Sequence, residues 1–449
     1  MSLLTAAARG SGAFSPGDVA GLLFWGIGDN LTGANAAAVA SWADASGSGN
    51  DANQGTGAKQ PTKRTNVLNG HAVCRFDGGD CLVTPTLAFG SALGISVYAV
   101  ASAAAGTDQA IVETSANTGG NSGAWILYHS AANKLQLYAH APVDNERLST
   151  ATFSGTGTFK LLSGFVNLTM NRHQNHVYVS GDPGMSYAAQ PPKNTVAIGD
   201  YAANVGARGN AASLGLTGDI AELLVYAGNH TARVRKQIEA YLAAKYSLTV
   251  RAVTANLVFE GDSLTEGDGS TLHYTTNWPQ QLVNRFTDGV HSWNPAVSGQ
   301  TAQTMYANRA KIAALFAAGM PNVCVLWAGT NDMAAGVGDK TGEVAIAQVY
   351  QYADYLRGIG YLVVLLDCLD RFDAAAGPGW SARRTAFNDE FAASATDHCD
   401  AAIQVSLVEE LRFPDDPTYF DADQVHINST GQGIVADTVE PVLGALGVT

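Results

Sequence analysis

A hydroxyl attacks an ester only with help: a base to take its proton, an acid to fix the tautomer of that base, and donors for the oxyanion. The sequence places candidates for all of these in its last two-fifths. Ser263 lies in Glu260-Gly261-Asp262-Ser263-Leu264-Thr265-Glu266-Gly267, directly after the apolar run Leu257-Val258-Phe259. An apolar run entering a glycine-flanked turn reads as the carboxyl end of a strand, where open α/β sheets place their ligands. Asp423-Gln424-Val425-His426 supplies an acid and a base in one short loop. With two residues between them, the carboxylate can turn back onto Nδ1 and leave Nε2 facing a serine. Val297-Ser298-Gly299-Gln300 offers the amide of Gly299, and Ala328-Gly329-Thr330-Asn331-Asp332 offers the side-chain amide of Asn331. The expected catalytic set is Ser263, Asp423 and His426, with the Ser263 amide, Gly299 and Asn331 as oxyanion donors. Neither metal nor cofactor is required by that chemistry.

Plainer roles compete for the same residues. Ser263 followed by Glu266 three positions later fits a capping box at a helix start. Asp262 and Asp332 sit on tight turns, where an aspartate commonly bonds the local backbone. Asp421 is a rival for the acid, although its spacing from His426 is longer. Asp397-His398, His273 and His291 are read as surface or core groups, because none stands just before the closing helix as Asp423 and His426 do.

Gly261-Asp262-Ser263-Leu264, the glycine block at Gly299, Gly329-Thr330-Asn331-Asp332 and the late Asp423-x-x-His426, in this order, resemble the SGNH or GDSL hydrolase superfamily. The resemblance covers roughly the last two hundred residues. It implies a flavodoxin-like three-layer α/β/α sandwich and a serine esterase.

The elements needed to hold such a site are legible around it. After Leu257–Phe259, helices are expected over Pro279–Phe286, Glu343–Arg357 and Ser381–Ser394 and from Gly431 onward, with strands at Val323–Trp327, Tyr361–Leu366 and Ala402–Leu407. This alternation argues a parallel sheet covered on both faces. Upstream the pattern differs. Short β-like runs at Ser96–Ala101, Trp125–Tyr128, Lys134–Ala139, Phe159–Asn167, His176–Val179, Thr195–Ile198 and Ile220–Tyr226 are cut by turn residues, as in an all-β sandwich. Helical spacing over Thr231–Tyr246 closes that region. The chain thus divides into an N-terminal segment, residues 1–21, a sandwich, residues 22–248, and the hydrolase-like part, residues 249–449.

The first large region also carries a resemblance. Trp42-Ala43-Asp44 through Asn50-Asp51-Ala52, Arg75-Phe76-Asp77-Gly78 and Gly218-Asp219-Ile220-Ala221-Glu222 look like the laminin-G or concanavalin-A-like jelly-roll domains of phage tail and bacterial surface proteins. That implies glycan binding through aromatic rings, with Trp125, Tyr128, Tyr138 and Tyr201 as candidates. Asp77 and Asp80 are expected to shape a turn rather than hold calcium.

Composition narrows the partners. A net charge of −14 gives nucleic-acid phosphates no basic surface. Neither a long uninterrupted apolar stretch nor a signal-type apolar core is seen, so membrane insertion is not expected. The five cysteines have no CxxC spacing; Cys74 and Cys81 flank a turn and can face each other across a hairpin. Sequons at Asn30, Asn167, Asn229 and Asn428, the last beside His426, favour a bacterial or viral chain that meets no glycosylating route. Together these readings point to a carboxylic ester hydrolase that removes acetyl or other short acyl groups from a polysaccharide, extracellular or virion-associated, with room for homo-oligomer or virion assembly. A lipid-type esterase, lysophospholipase or thioesterase on the same fold, and a non-catalytic glycan-binding adhesin or tail component, are the alternatives.

Overall fold

The computed structural model describes residues 14–115, 117–118, 120–140, 147–153, 158–171, 174–183, 196–272, 275–286 and 289–448. Its N-terminal part is built from two antiparallel sheets. One runs in the order Asp182–Pro183, Asn175–Val179, Lys160–Asn167, Gly94–Ala103, Thr217–Ala227, His71–Asp77, Thr62–Leu68, with Leu22–Ile27 also paired to Thr217–Ala227. The other runs Arg147–Thr152, Lys134–Ala139, Trp125–His129, Gln109–Thr114, Tyr201–Val205, Leu82–Leu87, Ala52–Asn53, Ser41–Trp42.

Strand alternation explains how these sheets pack. Val97, Ala99 and Ala101 of one sheet share a core with Leu127, Leu135 and Leu137 of the other. Gly164 sits where the sheets approach closely, and a Cβ there would lie 3.3 Å from both Leu127 and Leu137 of the facing sheet. The intervening side chains, Tyr98 and Val100, face the opposite way and pack with Ile238, Leu242 and Tyr246 of the helix Ala232–Tyr246. The strand Gly94–Ala103 is therefore buried along its whole length.

The remaining chain forms a five-stranded parallel sheet in the order Gly289–Trp293, Val253–Gly261, Asn322–Trp327, Leu362–Leu366, Ala401–Ile403. Numbered along the chain this order is 2-1-3-4-5, the flavodoxin-like arrangement. Helices Gly342–Gly358 and Trp380–His398 cover one face together with Ala302–Ala307. Trp278–Val283 and Ser429–Ala445 cover the other.

Several expectations shift in detail. Val196–Ile198 belongs to no strand, and the ladder runs at Tyr201–Val205 instead; Thr195 lies outside the described residues. The strand expected over Ala402–Leu407 stops at Ile403, because the following residues coil into a 3-10 turn whose Ser406 bonds Asp367. Cys74 and Cys81 are separate buried thiols. Cys74 sits in a ladder opposite Lys63 and Ile220, while the Cys81 amide bonds the Lys59 carbonyl, so the two do not face one another. Trp125 is fully buried between the sheets and offers no face to a sugar. Among the other rings, the Tyr201 hydroxyl donates to the Ser122 carbonyl at 2.8 Å and Tyr138 stacks on His140. Asp77 and Asp80 close their turn through the amides of Gly79 and Asp77.

Candidate active site

The strand Val253–Gly261 ends against a single helical turn, Ser263–Glu266. Gly261 is forced by its surroundings: a Cβ there would lie 2.7 Å from the Trp327 carbonyl oxygen of the neighbouring strand. The cap of this turn is Asp262, whose Oδ1 accepts the Leu264 amide at 3.1 Å. Ser263 is thus the first helical residue, not the cap, and the capping-box reading fails by one position. The shift leaves its hydroxyl uncommitted; neither Oγ nor the Ser263 amide finds a partner among the described residues. The residue is 7% exposed.

The acid and base sit on the loop before the helix Ser429–Ala445. Asp423 Oδ2 lies 2.5 Å from His426 Nδ1, and Asp423 Oδ1 accepts the amides of Val425 and His426, each at 3.0 Å. Gln424 adopts φ 60°, which folds the loop back so that both contacts form. Partial burial works against charge on Asp423, but the His426 amide, its ring and the Val425 amide outweigh it and hold the carboxyl below its ordinary value. Asp421, the rival acid, spends its carboxylate on the Ala422 amide, and its own amide donates to the His426 carbonyl. The loop is tied to both neighbours: the Phe372 amide donates to the Gln424 carbonyl, and a Cβ on Gly269 would come within 2.7 Å of His426 Cβ. Gly269 follows the Ser263 turn, so His426 lies beside the segment that carries the serine. No hydrogen bond joins Ser263 Oγ to His426 Nε2; such contacts commonly tighten only when substrate is bound.

The loop from Asn294 to Gln300 follows the strand Gly289–Trp293. The Val297 amide donates to the Gly261 carbonyl at 3.1 Å, the Ser298 amide to Glu266 Oε2 at 2.6 Å and the Gln300 amide to the Val297 carbonyl. Gly299, at φ 78°, is left with an amide that has no acceptor among the described residues. The second donor block begins at Gly329, where φ is 121° and a Cβ would meet the Phe387 ring at 2.6 Å. Asn331 Nδ2 donates to the Gln300 carbonyl at 3.0 Å and more weakly to Asp262 Oδ2 at 3.3 Å. To serve an oxyanion it must release the longer bond. Burial pushes the Asp262 carboxyl up to about 7, against the Leu264 amide and the nearby His426.

Asp332 bonds farther away than a local turn: Oδ2 accepts the Ala302 amide and Oδ1 meets Lys340 Nζ at 3.3 Å. It pins the start of the helix Ala302–Ala307. His398 pairs with Asp354 at 3.0 Å and stacks on Tyr350. His291 is buried against Arg235, and burial drives its ring well below the ordinary histidine range; His273 lies outside the described residues. Asn428 caps the last helix through Thr430 and Gly431 and gives Nδ2 to the Pro417 carbonyl, so its amide is structurally committed. Two residues given no part in the site by the sequence reading stand out: Glu266, read there only as a capping-box partner, whose carboxylate holds the Gly299 loop, and Phe372, which is 49% exposed beside the Gln424 turn.

A serine at the carboxyl edge of a 2-1-3-4-5 parallel sheet, with an Asp–His loop and open amides on neighbouring turns, is a flavodoxin-like arrangement that brings together the kinds of group acyl transfer needs. Residues 259–434 match the model of the GDSL-like Lipase/Acylhydrolase family. Solved structures similar to it include a lipolytic protein of the G-D-S-L family from Veillonella parvula, 21% identical over 42% of this chain and 99% of that one, with a TM-score of 0.36. The psychrotrophic esterase EstA from Pseudoalteromonas sp., inhibited by monoethylphosphonate, is 14% identical over 42% and 97%, with a TM-score of 0.35. A GDSL-like lipase from Bacteroides thetaiotaomicron is 19% identical over 46% and 97%, with a TM-score of 0.34. Comparison with curated proteins finds no match.

Proposed function

We propose that the protein is a serine ester hydrolase that removes acetyl or other short acyl groups from a polysaccharide. The observation that carries the hydrolytic part is the 2.5 Å contact between Asp423 and His426 Nδ1, on a loop packed against the segment that follows Ser263. In this reading Ser263 Oγ attacks the ester carbonyl while His426 Nε2 takes its proton. Charge on the carbonyl oxygen develops toward the amides of Ser263 and Gly299 and toward Asn331 Nδ2, which exchanges Asp262 for the oxyanion. His426 then protonates the leaving alcohol. Water, deprotonated by the same ring, releases the acyl group from Ser263.

The carbohydrate part is supported by the half-exposed Phe372 ring beside the His426 loop, since sugar rings present apolar faces that stack on aromatics. The jelly-roll resemblance of the N-terminal sandwich supports it as well, by analogy of domain pairing. Secretion or a place on a virion, and any assembly of several copies, belong to the same proposal.

The test is hydrolysis of p-nitrophenyl acetate, butyrate and octanoate by wild type and Ser263→Ala, followed by acetate release from acetylated polysaccharides. Serine-dependent turnover that falls with chain length, together with release from polymer, is the expected result. For Ser263→Ala a loss of at least about 10³ in kcat is expected, with melting unchanged because the hydroxyl bonds nothing among the described residues. Preference for octanoate would replace the proposal with a lipid-type esterase, and no ester turnover at all would leave a binding protein.

A further inference from the structure

Among the described residues, the N-terminal sandwich reaches the candidate site through Asn171. Its strand Lys160–Asn167 leads into a turn anchored by the buried side chains of Leu168 and Met170. Asn167 Oδ1 accepts both the amide and the hydroxyl of Thr169, and Gln174 Nε2 donates to the Met170 carbonyl at 2.8 Å. This clamped turn presents Asn171, whose Nδ2 donates to Glu266 Oε1 at 3.0 Å. Glu266 is fully buried, three residues after Ser263, and its other oxygen accepts the Ser298 amide at 2.6 Å. The next amide is that of Gly299.

We infer that Asn171 is a positioning residue supplied by the sandwich to the hydrolase site, acting through Glu266 on the Ser298–Gly299 peptide. The inference rests on the reading of Ser263 and Gly299 given above. The other anchors of the loop come from the domain that contains it: Asn294 Nδ2 bonds the Thr265 carbonyl, and the Val297 amide bonds the Gly261 carbonyl. Ser298 is held by a side chain, and a side chain can rotate. Asn171 fixes the direction of that carboxylate, and hence the aim of the neighbouring amide. Oxyanion donors act by being aimed in advance, so a small swing costs rate without costing affinity for the ground state.

The rest of the interface makes Asn171 a firm support. Arg251 donates its amide to the Ser180 carbonyl at 2.8 Å, and Gly181 allows that approach, since a Cβ there would be 2.0 Å from the Arg251 carbonyl oxygen. Arg235 is fully buried, stacks 3.3 Å from the Tyr178 ring centre and donates to the Val290 carbonyl. The ring centres of His176 and Trp293 are 4.1 Å apart. Val290 and Trp293 lie on the strand that runs into the Asn294–Gln300 loop. The sandwich therefore braces the base of the loop and, through Asn171, its tip.

The experiment compares full-length wild type, Asn171→Ala, Asn171→Asp and Ser263→Ala. With p-nitrophenyl acetate, Asn171→Ala is expected to lose about tenfold in kcat with KM nearly constant, less than the loss of a direct oxyanion donor. Asn171→Asp, which keeps the shape and sets a second carboxylate against Glu266, loses more. Phosphonylation of Ser263 by a p-nitrophenyl phosphonate slows in parallel, while melting temperatures stay close to wild type. Amide exchange over Asn294–Gln300 accelerates in Asn171→Ala, and this reading needs no turnover. Unchanged exchange together with unchanged kcat overturns the inference, as does a fall in kcat that only tracks lost melting temperature in both variants. Absence of serine-dependent turnover in the wild type would instead overturn the esterase reading, with the exchange result still deciding whether Asn171 positions the loop.

Discussion

Replacing Asp423 by Asn keeps the shape of the acid and removes its charge, so it isolates what the carboxylate does for His426. During acyl transfer the ring passes from neutral to imidazolium, and only the attraction that appears with that charge accelerates the reaction. The two groups are 2.5 Å apart, but the Asp423 side chain is 45% exposed and the His426 side chain 21%. An effective dielectric constant near 40 suits such a pair better than an interior value, and Coulomb's law then gives roughly 3 kcal/mol. At 1.36 kcal/mol per tenfold this is about 200-fold in kcat. An asparagine that turns its amide toward Nδ1 also favours the wrong tautomer, which can extend the loss toward 10³. The assay is steady-state hydrolysis of p-nitrophenyl acetate, with Asp421→Asn in parallel. Asp423→Asn is expected to fall by roughly 10² to 10³ in kcat, with Asp421→Asn within a few-fold of wild type. A threefold or smaller effect at Asp423 with a large one at Asp421 would transfer the acid to Asp421, and two small effects would refute the Asp–His pair. Since Asp423 is held below the ordinary carboxylate value, loss of wild-type activity on acidification at or above that ordinary range would have to come from another group.

Further expectations concern stability and substrate. Glu260 is fully buried, neither oxygen has a partner among the described residues, and burial pushes its carboxyl up to about 7, offset in part by Lys311. The folded state then holds a proton that the unfolded state loses above about pH 4.5, so stability falls as pH rises from there to about 7. Glu260→Gln should flatten that fall, by up to roughly 3 kcal/mol at pH 8; urea melts at pH 5 and pH 8 that show the same loss in both proteins would exclude Glu260 as its source. Phe372→Ala should raise KM for acetylated polysaccharide several-fold and leave p-nitrophenyl acetate untouched. Equal effects on both substrates would place the ring in the chemistry rather than in sugar binding.

Much of this was legible because it is local. Ser263 on its turn, Asp423 three residues before His426, and the periodicity of Ala232–Tyr246 are short-range patterns, and short-range patterns survive in any tertiary setting. The strand at Val253–Gly261 extends well before Leu257 because its first residues gain a parallel neighbour at Gly289–Val290, a contact that hydropathy does not record. Trp125 illustrates the opposite failure: an aromatic in a β run carries no mark of whether it faces solvent or the second sheet. The contact between Asn171 and Glu266 joins positions 95 residues apart, and neither has a pattern that names the other. The available signal was Glu266 itself, a charged residue in a turn too tightly packed to be solvated. Such a carboxylate needs donors, and the sequence near it offers few.

The buried contact of Arg235 with Tyr178, Glu239 and His291 bears on how the protein can be handled as a part. Modular enzymes are commonly dissected by cutting at a change of composition, and here the tempting cut falls just after Leu248. That cut would leave Val290, His291 and Trp293 without their cover on one fragment, and on the other an Arg235 guanidinium deprived of its Val290 acceptor and opened to water. The apolar surface that His176, Tyr178 and Trp293 bury there would meet water as well. A graft of the serine-bearing half onto another carrier would therefore have to bring the helix Ala232–Tyr246 and the hairpin around Tyr178 with it. The natural unit of exchange is larger than either composition or fold class suggests.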